Sequence, residues 1–146
     1  MRKKVIILFI ICIILAIISI IFISNKNQKQ ENQNNENVYY IELQDGTKQN
    51  VSPKISEKKT FENLDIVSAS IVYSDNICKM KLNVENNSDI KSNDMIIKIN
   101  IYDSNNDIMI TLTGFVAEIS PGKSIEVNLD SSFDYSNAYD YEILRK

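Results

Sequence analysis

Asp103, Asn105 and Asp107 stand at alternating positions, the spacing of side-chain oxygens that opens a calcium-binding loop. Such a loop needs glycine at its sixth place and glutamate at its twelfth. Here those places hold Ile108 and Gly114, so a plain hairpin turn fits better than a metal site. Asp134, Asp140 and Glu142 raise a second possibility, because glycoside cleavage uses two facing carboxylates. With 19 acidic residues in the chain, chance proximity on a solvated surface explains them better. The chain has no histidine, which excludes the usual histidine triads and histidine zinc sites. Its only glycines are Gly46, Gly114 and Gly122, so it has no glycine-rich phosphate loop. The expectation is a protein without catalytic residues, metal or cofactor. One cluster remains: Phe133, Tyr135, Tyr139 and Tyr141. Tyrosines stack on sugars or anchor protein partners. Ordinary strand packing also accounts for such a cluster, and the lack of tryptophan weakens a sugar platform. These four are the candidate partner-binding residues.

The elements that must carry them read as strands. Tyr39, Ile41 and Leu43 alternate up to Asp45-Gly46, a strong hairpin signal. The return segment from Thr47 to Ser52 is polar and reads as an exposed edge, and Pro53 blocks further pairing. Four apolar alternations follow: Val67 to Tyr73, Cys78 to Val84, Met95 to Ile101, and Ile108 to Leu112. Gly114 reads as a bulge or bend, with Phe115, Ala117 and Ile119 resuming on a shifted phase. Ser120-Pro121-Gly122-Lys123 has the residue order of a type II turn. Ile125 to Leu129 and Tyr139 to Ile143 complete the set. About seven strands, each with one apolar face, need a second sheet to cover them, which predicts an all-β antiparallel sandwich. Roughly 85 residues suffice for one such core.

Ahead of the strands lies a different kind of sequence. Met1-Arg2-Lys3-Lys4 is basic, and Val5 to Ile23 is a 19-residue run in which Ser19 is the clearly polar side chain. As a helix the run covers ~29 Å, the hydrocarbon thickness of a bilayer. The basic end favours a cytoplasmic N-terminus and an exterior C-terminal part. A cleaved signal peptide is the rival, but the run is long and ends in Phe22-Ile23 rather than in small residues. Cys12 follows Ile11 instead of the small residue of a lipoprotein signal, so it reads as a lipid-facing side chain. Asn25 to Asn37 contains no apolar residue and reads as a disordered linker. The expected division is therefore 1–24, basic tip and transmembrane helix; 25–37, linker; 38–60, hairpin and connector; 61–146, sandwich.

Of the 16 basic residues three precede the apolar run, leaving 13 against 19 acidic ones, a net of −6. That balance argues against nucleic acid, which needs clustered lysine and arginine, and against an anionic lipid surface. Cys12 and Cys78 fall on different sides of the expected membrane boundary, so no intrachain disulfide is expected.

The run Ile99-Asn100-Ile101-Tyr102-Asp103, a hairpin turn and a strand leading to Ile119-Ser120-Pro121-Gly122-Lys123-Ser124 resembles the FxLYD domain. The turn Val84-Glu85-Asn86-Asn87-Ser88 and the ending Asn137-Ala138-Tyr139-Asp140-Tyr141 add to the likeness, which covers roughly residues 64 to 143. Ile99 and Ile101 stand where that family has phenylalanine and leucine. The resemblance implies an immunoglobulin-like sandwich in an anchored or secreted bacterial protein, and no catalytic residues. The expected function is a non-catalytic binding or scaffolding protein of the bacterial envelope, held in the membrane through Val5 to Ile23, with an envelope protein or polymer as partner. The alternative is a sugar- or wall-polymer-binding accessory module of an extracytoplasmic hydrolase system.

Overall fold

Alternation along the chain translates into nine strands and one short helix in the computed structural model, which describes residues 37–146. The expected anchor and, apart from Asn37, the expected linker lie outside the described residues. In chain order the elements are β1 (Tyr40–Glu42), β2 (Lys48–Asn50), α1 (Pro53–Ser56), β3 (Lys59–Phe61), β4 (Leu64–Ser74) and β5 (Ile77–Glu85). β6 (Met95–Tyr102), β7 (Ile108–Val116), β8 (Ser124–Ser131) and β9 (Asp140–Arg145) follow. Among these residues no helix is long and apolar enough to cross a membrane.

All pairings are antiparallel. One sheet runs β1-β2-β4-β5-β8, with β3 also on β4; the other runs β7-β6-β9. Cys78, Met80, Leu82 and Val84 of β5 point into the core, as do Met95, Ile97, Ile99 and Ile101 of β6. Val127 and Leu129 of β8 and Tyr141 of β9 join them in a single buried cluster fed by both sheets. The expected antiparallel all-β architecture is present; β3 is the strand the sequence reading does not contain.

Four details differ from expectation. First, β2 pairs with β4 through Lys48–Tyr73 and Gln49–Val72, so the hairpin is part of the sheet, and residues 37–146 form one compact unit. The exposed edge is β1, and Pro53 opens α1 with Ser52 as its cap instead of merely ending a strand. Second, the register along β4 shifts between Ile66 and Ser68. Leu64 and Ile66 are buried on one phase and Ala69 and Ile71 on the other, with Val67 as the extra residue. Third, Gly114 is no bulge; it pairs with Ile97 in a regular stretch of ladder, and the register shift of this pair lies instead between Ile101 and Tyr102, where it turns Ile108 outward. A Cβ there would lie 2.9 Å from Leu129 Cδ2 and 3.4 Å from Ile97 Cγ1. The residue lets β7 approach its neighbours closely. Fourth, because the phase does not shift at Gly114, Val116 is buried and Phe115 points to solvent.

The turns follow local chemistry. Asp75 and Asn76 both take positive φ, and the two residues close β4 onto β5. Gly122 has φ +66°, and Lys123 N donates to Ser120 O at 3.1 Å, as a type II turn requires. Asn86 is the hub of that end. It is fully buried, and its Nδ2 donates to Ile90 O and to Ile119 O, both at 2.8 Å. Its Oδ1 accepts from Ser88 N at 3.0 Å and Ser88 Oγ at 2.7 Å. One side chain thus ties the β5–β6 connection to the segment before β8.

Candidate partner-binding face

The predicted aromatic cluster lies on the β8–β9 connection and on β9, and most of it is inside. Tyr135 is fully buried, its hydroxyl donating to Cys78 O at 3.1 Å and Leu129 O at 3.2 Å. Tyr141 is also buried, and its hydroxyl is the one buried side-chain polar atom without a hydrogen-bond partner among the described residues. Burial pushes both phenols upward. Neither ring can belong to a surface, which corrects their assignment as partner-binding residues. Tyr139 is half-buried and packs on Tyr39 with ring centroids 4.9 Å apart. Phe133 alone of the four is exposed, at 49%.

A strap made from residues 39–62 explains this burial. Tyr39 N donates to Asn137 Oδ1 at 2.7 Å, and Asn50 Nδ2 to Ser136 O and Ala138 O at 2.8 and 2.7 Å. Ser52 Oγ donates to Tyr139 O at 2.5 Å. Lys48 Nζ sits 2.7 Å from Asp134 Oδ2, with the rings of Tyr40 and Tyr73 at 5.1 and 5.3 Å. Lys59 Nζ reaches Asp140 Oδ1 at 2.5 Å and lies 4.5 Å from the centre of the Tyr141 ring.

The same contacts engage the three candidate carboxylates one by one. Asp134 is held by Lys48, Asp140 by Lys59, and Glu142 Oε2 accepts from Tyr102 Oη at 2.9 Å. Asp103 spends its carboxylate on the turn, accepting from Asn105 N at 2.8 Å and Asp107 N at 2.9 Å. Among the described residues no group of three or more histidine, cysteine or acidic side chains is arranged to hold a metal. Cys78 is fully buried, and desolvation raises its thiol to about 11, the condition of an inert packing residue.

Burial raises the Asp134 carboxyl, but the Lys48 and Ser136 hydrogen bonds outweigh it and hold the group below 3.8. A depressed folded-state value stabilises the fold above 3.8 and loses that stabilisation as pH falls through it. Asp134→Asn is therefore expected to lower the melting temperature at neutral pH. The difference from the unsubstituted protein should vanish in melts taken from about pH 5 to about pH 2. A difference constant over that range would mean that the Lys48 contact stabilises nothing.

The surface that is open lies elsewhere, on the outer side of the β7-β6-β9 sheet. Cross-strand register orders it into four rows. Phe115 lies beside Ile96, and Lys146 adjoins Ile96 through its backbone N–H. The next rows are Thr113, Lys98 and Leu144; then Thr111, Asn100 and Glu142; then Ile108, Tyr102 and Asp140. Phe115, Ile96, Leu144 and Ile108 are 59, 48, 38 and 55% exposed. The middle is polar and prearranged: Thr111 Oγ1 donates to Asn100 Oδ1 at 2.8 Å, and Asn100, Tyr102 and Glu142 continue the network. Sequence reasoning missed this face because it placed Phe115 inward. The strict alternation of Leu112, Gly114 and Val116 was the available signal. The outer side of the larger sheet has a shallow hollow lined by residues that include Ser68, Ser70, Lys81, Asn83 and Glu126, and exposed apolar side chains, Ile41, Leu43, Val51 and Ile77, that no polar network connects. Comparison with protein-family models, curated proteins and solved structures finds no match to this chain.

Proposed function

We propose that the chain is a membrane-anchored, extracytoplasmic binding or scaffolding protein of the bacterial envelope, with no catalytic role. The observation that carries the binding reading is the outer β7-β6-β9 face, where exposed apolar side chains flank a prearranged polar network. The basic tip and Val5 to Ile23 supply the anchor, N-terminus inside. The domain is immunoglobulin-like and of the FxLYD type in this reading. Strand orders β4-β5-β8 and β7-β6-β9, with a chain that changes sheet after β5, β7 and β8, support that topology. A sugar- or wall-polymer-binding role is less well supported, since the hollow on the larger sheet has no aromatic ring to stack on a sugar.

Alkaline carbonate is expected to leave the full-length chain in the membrane pellet, and protease added to intact protoplasts to remove the bulk of it. Release of a soluble form starting near Asn25, or protection from protease, would overturn the anchor or its orientation. A photoreactive side chain at Ile96 should capture an envelope component, and one at Ser70 should not. Equal capture from both sites, or none, would overturn the binding face.

A further inference from the structure

The geometry points to a second copy of this chain as the occupant of the outer β7-β6-β9 face, in a two-fold dimer that deepens the binding role proposed above. A two-fold contact requires a surface complementary to itself. This face has cations at one end, Lys98 and Lys146, and carboxylates at the other, Glu142 and, shared with Lys59, Asp140. Its exposed apolar groups also stand at both ends, Phe115, Ile96 and Leu144 against Ile108. A two-fold axis lying in the contact and running across the strands keeps each strand over its own counterpart and reverses the rows. Phe115 then meets Ile108 of the second copy, Ile96 meets Tyr102, Lys146 meets Asp140, and Lys98 meets Asn100 beside Glu142. An axis along the strands would instead stack Lys98 on Lys98, so the charges select the first arrangement.

The distribution of ion pairs supports the same conclusion. Seven of the eleven basic residues between 37 and 146 are ion-paired within the domain. The remaining four are Lys79, Lys98, Lys123 and Lys146, and two of these lie on this one face. The face is small: four rows of three strands give a footprint on the order of 400 Å² per copy. That is about half the ~800 Å² each partner contributes to a stable complex. The dimer is therefore weak in free solution and is populated where anchors hold copies in one plane at high effective concentration. Its population at the membrane thus rests on the anchor reading; the complementarity of the face does not.

Lys98 lies next to the axis, so its two copies would be ~12 Å apart across facing sheets. The test uses the full-length chain in native membranes with Cys12→Ser, leaving buried Cys78 in place, and a bis-maleimide of matching reach. Lys98→Cys is expected to give a dimer adduct, and Lys81→Cys on the opposite sheet is not. Adding Ile96→Asp or Phe115→Ser, both at exposed positions, should abolish the Lys98→Cys adduct. Equal adducts at positions 98 and 81, or adducts indifferent to both substitutions, would overturn the dimer. Carbonate-washed pellets from the same cells report the anchor separately. Chain in the pellet without adduct overturns the dimer and leaves the anchor standing. Chain outside the pellet overturns the anchor, and the adduct is then read on the released protein at high concentration, where its absence overturns the dimer as well. Capture from Ile96 of another envelope component without self-capture would keep the binding role and reject the second copy.

Discussion

Ile99→Ala is expected to cost the domain about 2 to 5 kcal/mol, the usual loss when a buried aliphatic site is emptied. Ile99 is fully buried at the middle of β6, the central strand of its sheet. Neighbours from both sheets belong to the same core cluster, so the cavity has little freedom to collapse. Lys98→Ala, one residue away and pointing out, should change stability by less than about 0.5 kcal/mol. Urea titrations of the two variants decide the point. Equal costs, or the reverse order, would mean that the register of β6 is wrong, and with it the composition of the outer face.

Asn86→Ala should rank beside it, at about 2 to 4 kcal/mol. The side chain is fully buried, and removing it strands the carbonyls of Ile90 and Ile119 without their donor. A buried acceptor left unmatched costs far more than the net value of a hydrogen bond. Asn86→Asp replaces the Nδ2 donor by a second acceptor and should be at least as damaging. A loss below about 0.5 kcal/mol in chemical denaturation would mean that water reaches those carbonyls.

Much of the core was legible because β5, β6 and β8 keep an uninterrupted period of two from turn to turn. Cys78 to Val84 and Met95 to Ile101 need no tertiary information to be placed inward. Reading failed wherever the phase or the partner was set from a distance. Val67 looks like an inward residue until the bulge in β4 is seen, since it is one apolar residue among several. Gly114 has two physical meanings in a strand, a kink or a close approach, and only Leu129 on another strand distinguishes them. Asn86 looks like one more turn residue, because its acceptor at Ile119 is 33 positions away. The aromatic ending was read as a surface because the strap that covers it comes from the opposite end of the domain.

That strap has a mechanical consequence. Chain tension arriving from residue 37 enters the domain at β1, an edge strand of three residues held in its sheet by β2 alone. The load reaches Tyr39, fastened to Asn137 and packed on Tyr139, then the Tyr40–Asn50 pair, and the core strands last. The hairpin and strap therefore behave as a fuse: under a pull they peel away before β5 and β6 feel the force. Released, residues 37–62 would lengthen the tether by up to ~85 Å, while most of the hydrophobic cluster beyond them stays closed. A domain pulled from this side can lengthen by paying out its first 26 residues, 37–62, and recover its length when the tension falls.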